Sequence, residues 1–578
     1  MWHREIAYDP TSATPCEPTY STYGYIFDPL APNDLILIKD AVPSDIFCAS
    51  STWDPNGRLI VVGGNRQAPA LLNNAYRFHP GSLGVPIGSG CGLHIVSRVW
   101  QALYDMRFPR FYPTIIGLTK ETIQYDASTT YCTNIVGGAH LVLGGPNGAS
   151  PSYAGVTNFE LLPYGSKQWA CSVSETGSGS AFYRIAEYML YTDSTEVVPP
   201  LGQPGNLYDG KLDSYPRAFQ LSNGDVLTIH DADTPTLAGA VANHPQQCFA
   251  LRLNQGGASK FESWRVRVDG SNPGPDSDRN YGTALLMHMA AFTLKDRVLA
   301  LGGAAGGGQP VNSVQEFIPG PAGSTGGSTV GGKWITKANL KSPRTFSGAV
   351  ALPDGKILMS SGAFKLLPNE EPVAEPEIYD PGPSPTALGS SVLMPRGNPV
   401  SNPAGTPAGP TQRLYHSFSV LLPDGSVFIA GGEAHAQQVP GFAIGPYSGE
   451  IFQPPYMPQT TGLDMPYIDS VGSEQPMSPQ GLATPFAVTV ENCKPEAFTV
   501  VGVVLTRPAA VTHFFDNDQR YIELNILSQV TSPSAATLTV RSLEDHLGPP
   551  GWYMLWVIVT PAGSTQRLPT HAEFVRFY

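Results

Sequence analysis

The chain has 578 residues with 61 glycines, 56 prolines and a formal net charge of −13, and only 14% of its residues are charged. At 41% apolar it is not a disordered composition; it reads as all-β and rich in turns. The negative charge without a basic block speaks against nucleic acid or an anionic membrane surface as partner, and no apolar run is long enough to span a bilayer.

Residues 1–22 read as a loosely structured lead-in, and MWHREIAYDP has no apolar core of the kind an export signal needs. From Tyr23 a repeated grammar sets in. FCASSTWDPNGRLIVVGG (47–64) joins two apolar runs through Asn56-Gly57 and ends in a glycine pair. The same grammar returns in FQLSNGDVLTIHD (219–231), AVALPDGKILMSSG (349–362) and SVLLPDGSVFIAGG (419–432). HLVLGG (140–145) and AAFTLKDRVLALGG (290–303) are weaker copies. Asn-Gly and Asp-Gly favour the type I′ turn, so each copy predicts a β-hairpin, and the glycine pair lets the chain bend away without steric cost. Six copies make an internal repeat, and small antiparallel sheets set radially hide their edges, so a β-propeller is expected over 23–465. Segments 304–333 and 381–411, rich in Gly, Ser, Thr and Pro, read as long insertions, the second placed to overhang residues 413–416.

A Pro/Gln/Gly/Ser-rich linker at 459–484 ends the grammar. After it FAVTV, FTVVGVVL, YIELNI, ATLTV, WYMLWVIV and FVRFY predict an immunoglobulin-like β-sandwich over 480–578. THFFDNDQR (512–520) lies between two of these strands, with His513 at the loop start.

RLYHSFSVLLPDGSVFIAGG (413–432) sets Tyr415 and His416 side by side at one strand end, a phenol oxygen and an imidazole nitrogen suited to a hard-to-borderline metal. Further candidates are His513, Tyr112 in MRFPRFYPTIIGL and Cys48 in DIFCASSTWDPNG. No local motif such as HExxH occurs, so a metal centre here must be assembled from distant segments. Seven cysteines (Cys16, Cys48, Cys91, Cys132, Cys171, Cys248, Cys493) without a CxxC argue against a zinc cluster, and the odd count leaves one thiol over. His435, in GGEAH, reads as a loop histidine. Singly, each candidate has an ordinary role: Tyr112 packs, His416 bonds a carbonyl, His513 caps a turn, Cys48 is a small buried hydrophobe.

Five patches taken together, FCASSTWDPNGRLIVVGG, RFYPT, RLYHSFSVLLPDGSVFIAGG, GEIFQPPYM (449–457) and THFFDNDQR, resemble the copper radical oxidases, the family of galactose oxidase and glyoxal oxidase. RFYPT and YPRAFQLSNG (215–224) lie nearer to glyoxal oxidase. The resemblance implies a seven-bladed kelch-type β-propeller followed by an immunoglobulin-like C-terminal domain that supplies one ligand. It implies one copper ion held by Tyr112, Tyr415, His416 and His513, with Tyr112 joined by a thioether to Cys48 as the radical cofactor and Tyr415 as the base. The thioether would use one cysteine and leave an even six. The implied activity is oxidation of small aldehydes to carboxylic acids, with dioxygen reduced to hydrogen peroxide. Oxidation of primary alcohols or glycan hydroxyls is the alternative, and a non-catalytic propeller scaffold the reading from another class. A monomer acting on small molecules is expected; peroxide chemistry favours export, although no leader is visible. The tryptophan that stacks over the thioether in galactose oxidase has no counterpart in GGPNGASPSYAG (144–155), where Tyr153 is the aromatic available.

Overall fold

The computed structural model describes residues 46, 48–64, 74–79, 100–103, 106, 110, 112–119, 138, 140–143, 215–224, 226–229, 279, 281–289, 293–305, 309–318, 333–365, 371–396, 398–400, 411–432, 443–444, 449–457, 466–491, 497–532 and 534–578, with the backbone of further strands at 2–7, 19–27, 35–38, 121–126, 131–136, 159–162, 171–173, 248–252 and 262–265. Among these residues every element is a strand, bridge or turn, and none is a helix.

The predicted hairpins form: Ser50–Trp53 with Leu59–Val62, Arg217–Gln220 with Val226–Ile229, Gly348–Ala351 with Ile357–Ser360, and Ser417–Leu421 with Val427–Gly431. Their turns differ from the type I′ expectation. Gly57, Gly224, Gly355 and Gly425 are left-handed, whereas the Asn or Asp before each is not. Gly355 N–H bonds the Leu352 carbonyl at 3.0 Å, and Leu352 N–H bonds the Lys356 carbonyl at 2.8 Å. This is a type I turn closed by a left-handed glycine, the three-residue hairpin loop. Pro55, Pro353 and Pro423 explain the choice: a proline in the first central position cannot adopt the positive φ that type I′ demands.

Among the described residues five four-stranded antiparallel sheets and the four-stranded antiparallel end of a ten-stranded sheet have as innermost strands Ser50–Trp53, Thr114–Gly117, Arg217–Gln220, Thr283–Met289, Gly348–Ala351 and Ser417–Leu421, the ten-stranded one contributing Thr283–Met289. Each innermost strand touches the next in that order, so the sheets stand radially about one axis. Glycines at the ends of the second strands tie neighbouring sheets together. Gly64, Gly303 and Gly362 donate their N–H to the carbonyls of Arg110, Arg344 and Arg413 at the root of the following sheet, at 3.0, 2.9 and 2.9 Å. A Cβ on Gly63 would lie 2.5 Å from the Arg110 oxygen, so no larger residue fits there. The arginine side chains are bound as well, Arg344 to Glu377 at 3.1 Å and Arg413 to Glu450 at 3.2 Å, both acids sitting on the third strand of their sheet.

Parts of the expected insertions and lead-in are strands. Val314–Ile318 and Ser390–Leu393 belong to the fourth and fifth sheets, and Asn398–Val400 is the outer strand of the sixth. Ser390–Leu393 hid from pattern reading because it is largely exposed and carries no apolar alternation. Trp2–Ala7 pairs with Thr19–Phe27, which pairs with Leu35–Ile38 in a three-stranded sheet. Residues 401–410, in the second expected insertion, lie outside the described residues.

The C-terminal region is a β-sandwich. Tyr467–Val471, Pro485–Glu491, Ala535–Arg541 and Ile526–Thr531 form one sheet, and Arg520–Leu524, Phe498–Thr506, Gly551–Pro561 and Glu573–Phe577 lie in the other. Val488, Leu538, Val540, Val503, Leu505, Leu555 and Val557 fill the space between them, none exposed by even 1%. Tyr467–Val471 begins within the expected linker. The second sheet runs on into the radial array, because Arg520–Leu524 pairs in parallel with Thr283–Met289.

The loop around 507–520 bonds three of the radial sheets. Trp53 N–H and the Arg507 guanidinium meet on Asp518 Oδ2 at 3.1 and 2.9 Å, Gln519 Nε2 donates to the Ala349 carbonyl at 2.8 Å, and Arg520 Nη1 donates to the Gln220 carbonyl at 3.3 Å. His140, 2% exposed, sits beside this contact with Nε2 3.4 Å from the Trp53 carbonyl. Burial, opposed by nearby Asp54, lowers its pKa to about 4. The unfolded chain takes up that proton near pH 6.5 and the folded chain near 4, so His140 leaves the fold intact above pH 6.5 and subtracts about 3 kcal/mol as pH falls to 4. His140→Gln is therefore expected to flatten the acid limb of a urea-midpoint profile; an unaltered slope between pH 6.5 and 4 would contradict this.

Candidate metal centre

The axis is lined by a repeated backbone device. Cys48, Tyr112, Tyr215, Tyr281 and Phe346 each stand two residues ahead of an innermost strand, and His416 stands directly before Ser417. All six are left-handed, with φ of +64, +59, +47, +55, +56 and +67°. For non-glycine residues that costs about 1 kcal/mol or more apiece, held here by neighbouring sheets. Tyr112 N–H bonds the Cys48 carbonyl at 3.2 Å, Tyr215 N–H the Tyr112 carbonyl at 2.6 Å and Phe346 N–H the Tyr281 carbonyl at 2.9 Å. At these three junctions a sheet hands its side chain to the axis while its backbone grips the sheet before it.

The C-terminal region enters the same space. Val511–Thr512 and Phe515–Asp516 form a tight hairpin touching the innermost strands of the first and sixth sheets. Its two central residues, His513 and Phe514, have φ of +48 and +62°, the signature of a type I′ turn without glycine. Phe514 N–H bonds the Ser417 carbonyl at 2.8 Å, and Arg217 lies 5.3 Å from the Phe514 ring centroid. His513 is thereby carried 8% exposed to the axis.

Four separated segments converge. Tyr415 Oη donates to Tyr112 Oη at 3.1 Å, and Cys48 Sγ lies 3.5 Å from His513 Nε2. One donor atom from each of Cys48, His416 and His513 falls within 4.8 Å of the others. The ring centroids of His416 and His513 are 4.4 Å apart, and that of Tyr112 is 5.1 Å from His513. Burial holds the His513 pKa well below the imidazole range, with His416 and Arg217 adding to it, so the ring stays neutral and able to donate a lone pair. Burial first, then the Cys48 thiol beside it, pushes the Tyr112 phenol well above its usual range. Two imidazoles, two phenols and a thiol, with no carboxylate among the described residues of the cluster, fit a borderline transition ion rather than calcium or magnesium.

All five expected residues meet at this place. Tyr153 and His435 lie outside the described residues, as do the side chains of the other six cysteines. Tyr215 was missed: its ring lies 4.8 Å from Tyr112 and 4.7 Å from His513. Tyr281 and Phe346, against Tyr415 at 6.2 and 5.3 Å, were missed too. A signal existed, since Gly57, Gly224, Gly355 and Gly425 follow Cys48, Tyr215, Phe346 and His416 by the same interval. Aligning the repeats on that glycine exposes the axial position of each.

The galactose oxidase-like early set domain family matches residues 466–576. A protein of Artemisia annua, Art an 7, named as an aldehyde oxidase, is 26% identical over 388 residues, covering 62% of this chain and 56% of that protein. A galactose oxidase of Gibberella zeae is 27% identical over 237 residues, covering 40% of this chain and 29% of that protein. The chain thus spans about half or less of the length of these relatives. Among solved structures, a fungal alcohol oxidase of the AA5 family in complex with copper superposes with a TM-score of 0.61 at 20% identity, over 96% of this chain and 90% of that one. This last likeness establishes the common fold.

Proposed function

This chain belongs to the copper radical oxidase family, and from that premise we propose that it oxidises small aldehydes, as their hydrates, to carboxylic acids while reducing dioxygen to hydrogen peroxide. What carries the reading is the convergence of Tyr112, Tyr415, His416, His513 and Cys48 from four distant segments. Tyr112, Tyr415, His416 and His513 would hold the metal through two phenol oxygens and two imidazole nitrogens. Copper, when bound, supplies one-electron redox chemistry and makes a coordinated hydroxyl more acidic. Tyr415 would act as the base that takes the substrate's hydroxyl proton. Oxidising the hydrate releases two electrons and two protons, which together turn dioxygen into hydrogen peroxide. A two-electron oxidation at a one-electron metal would need a second redox centre from the chain itself. Tyr112 joined to Cys48 would provide it, because a sulfur substituent makes the ring easier to oxidise.

The propeller would be seven-bladed and kelch-type over 23–465, closed through the N-terminal strands, with the sandwich of 480–578 delivering His513. An exported monomer suits the peroxide product. No helix among the described residues is long and apolar enough to cross a membrane.

The test is peptide mapping after copper loading under air. The expected result is a loss of about 2 Da and a linked pair of peptides carrying Cys48 and Tyr112, together with peroxide release on methylglyoxal or glycolaldehyde. Unlinked peptides and silence across aldehydes and alcohols would return the chain to a non-catalytic scaffold. The galactose oxidase among the relatives keeps primary alcohols as a second reading. A side-by-side panel of aldehydes and alcohols separates the two.

A further inference from the structure

The tyrosine that sequence reading passed over ends a chain of hydrogen bonds whose direction follows from counting protons. Tyr215 Oη lies 3.2 Å from the Ala49 carbonyl and 3.3 Å from Thr512 Oγ1, and Thr512 Oγ1 lies 2.8 Å from His513 Nδ1. A carbonyl can only accept, so the single Tyr215 proton goes to Ala49. Tyr215 Oη must then accept from Thr512, which uses the only proton of that hydroxyl. Thr512 Oγ1 in turn accepts from His513, and Nδ1 therefore carries the ring hydrogen. Nε2 is left as the bare nitrogen, on the side where Cys48 Sγ lies at 3.5 Å.

The three segments that meet here are independent in sequence. Ala49 follows Cys48 in the first sheet, Tyr215 roots the third, and Thr512 belongs to the C-terminal hairpin. Tyr215 is 5% exposed and held at its backbone, where Arg217 Nη1 donates to its carbonyl at 2.7 Å. Its ring packs on Tyr112 and His513 alike.

We propose that Tyr215 and Thr512 are positioning residues: their relay to the Ala49 carbonyl sets the tautomer of His513 so that Nε2 faces the metal centre, and the Tyr215 ring steadies Tyr112 and His513 together. The assignment of Nε2 as a metal ligand rests on the copper-oxidase reading, whereas the tautomer does not. A hydrogen-bond partner on the far nitrogen of a ligating histidine orients the ring and raises its basicity, and losing such a partner typically lowers metal affinity by about 10–100-fold.

The experiment uses metal-free and copper-loaded full-length protein labelled with 15N-histidine, the His513 signals being assigned by their loss in His513→Gln. Metal-free wild type is expected to show a protonated Nδ1 and a bare Nε2. Thr512→Val, which keeps the shape but not the hydroxyl, is expected to shift His513 toward the other tautomer and to weaken Cu(II) binding by about 10-fold or more. Thr512→Ser is expected to restore both, a rescue that a purely structural role for the methyl group would not give. Tyr215→Phe keeps the stacking ring and frees the Thr512 hydroxyl, so it is expected to mix the tautomers with a smaller affinity loss. A wild-type His513 protonated on Nε2, or a Thr512→Val variant with unchanged tautomer and Cu(II) affinity, overturns the proposal. Failure of wild type to bind Cu(II) at all sinks the oxidase reading instead, and the tautomer measurement still decides the relay.

Discussion

Tyr112→Phe is expected to reduce peroxide production by at least about 10³-fold, equivalent to about 4 kcal/mol of barrier, with little change in folding. The fold should tolerate the change because Phe346 occupies the corresponding position of the fifth sheet at φ +56°, against +59° for Tyr112. A phenylalanine ring also keeps the contacts with Tyr215 and His513 at 4.8 and 5.1 Å. What disappears is the oxygen 3.1 Å from Tyr415 Oη and the ring that could be linked to sulfur and lose an electron. Copper should still bind through Tyr415, His416 and His513, more weakly. Peroxide release, copper titration and thermal unfolding on the same preparation separate these effects. A variant with normal unfolding and more than a tenth of wild-type turnover would remove Tyr112 from the redox role.

Arg507→Ala is expected to destabilise the folded protein by about 3–5 kcal/mol. Arg507 and Asp518 are 3% and 4% exposed, and their charges meet at 2.9 Å. Removing the guanidinium leaves the carboxylate buried with only neutral donors such as Trp53 N–H. The arginine also donates to the Trp53 and Pro549 carbonyls at 3.3 and 3.4 Å and lies 5.1 Å from the Tyr553 ring centroid. Because these bonds hold the loop that carries His513, copper affinity should fall along with the urea midpoint. Combining Arg507→Ala with Asp518→Asn should recover part of the loss, since no charge is then stranded. A single variant within about 1 kcal/mol of wild type would show that the pair does not anchor the sandwich to the radial array.

The strands were legible because their causes are local. A short apolar run on either side of a turn and a glycine at one turn position suffice to specify a hairpin, as between Gly348–Ala351 and Ile357–Ser360, which are buried at every position. The loop type was also written in the chain, in the proline of LPDG, and the dipeptide rule obscured it. Ser390–Leu393 and Trp2–Ala7 were not legible as strands, since an exposed outer strand or one held by its partner needs no apolar pattern of its own.

The amino-acid order by itself determined the hairpin repeat, the change to a sandwich after it, and the chemical types at the axis: Cys48, Tyr112, Tyr415, His416 and His513. Only the tertiary structure decided that these side chains face one another, that Tyr215 stands among them, and which nitrogen of His513 is bare. The difference lies in where the constraints act. Turns and strands answer to neighbours a few residues away, whereas the site exists because successive sheets stand around an axis and a hairpin from the far end of the chain enters it. Ala49, Tyr215 and Thr512 have no reason to be read together until that arrangement brings their oxygens within hydrogen-bonding distance.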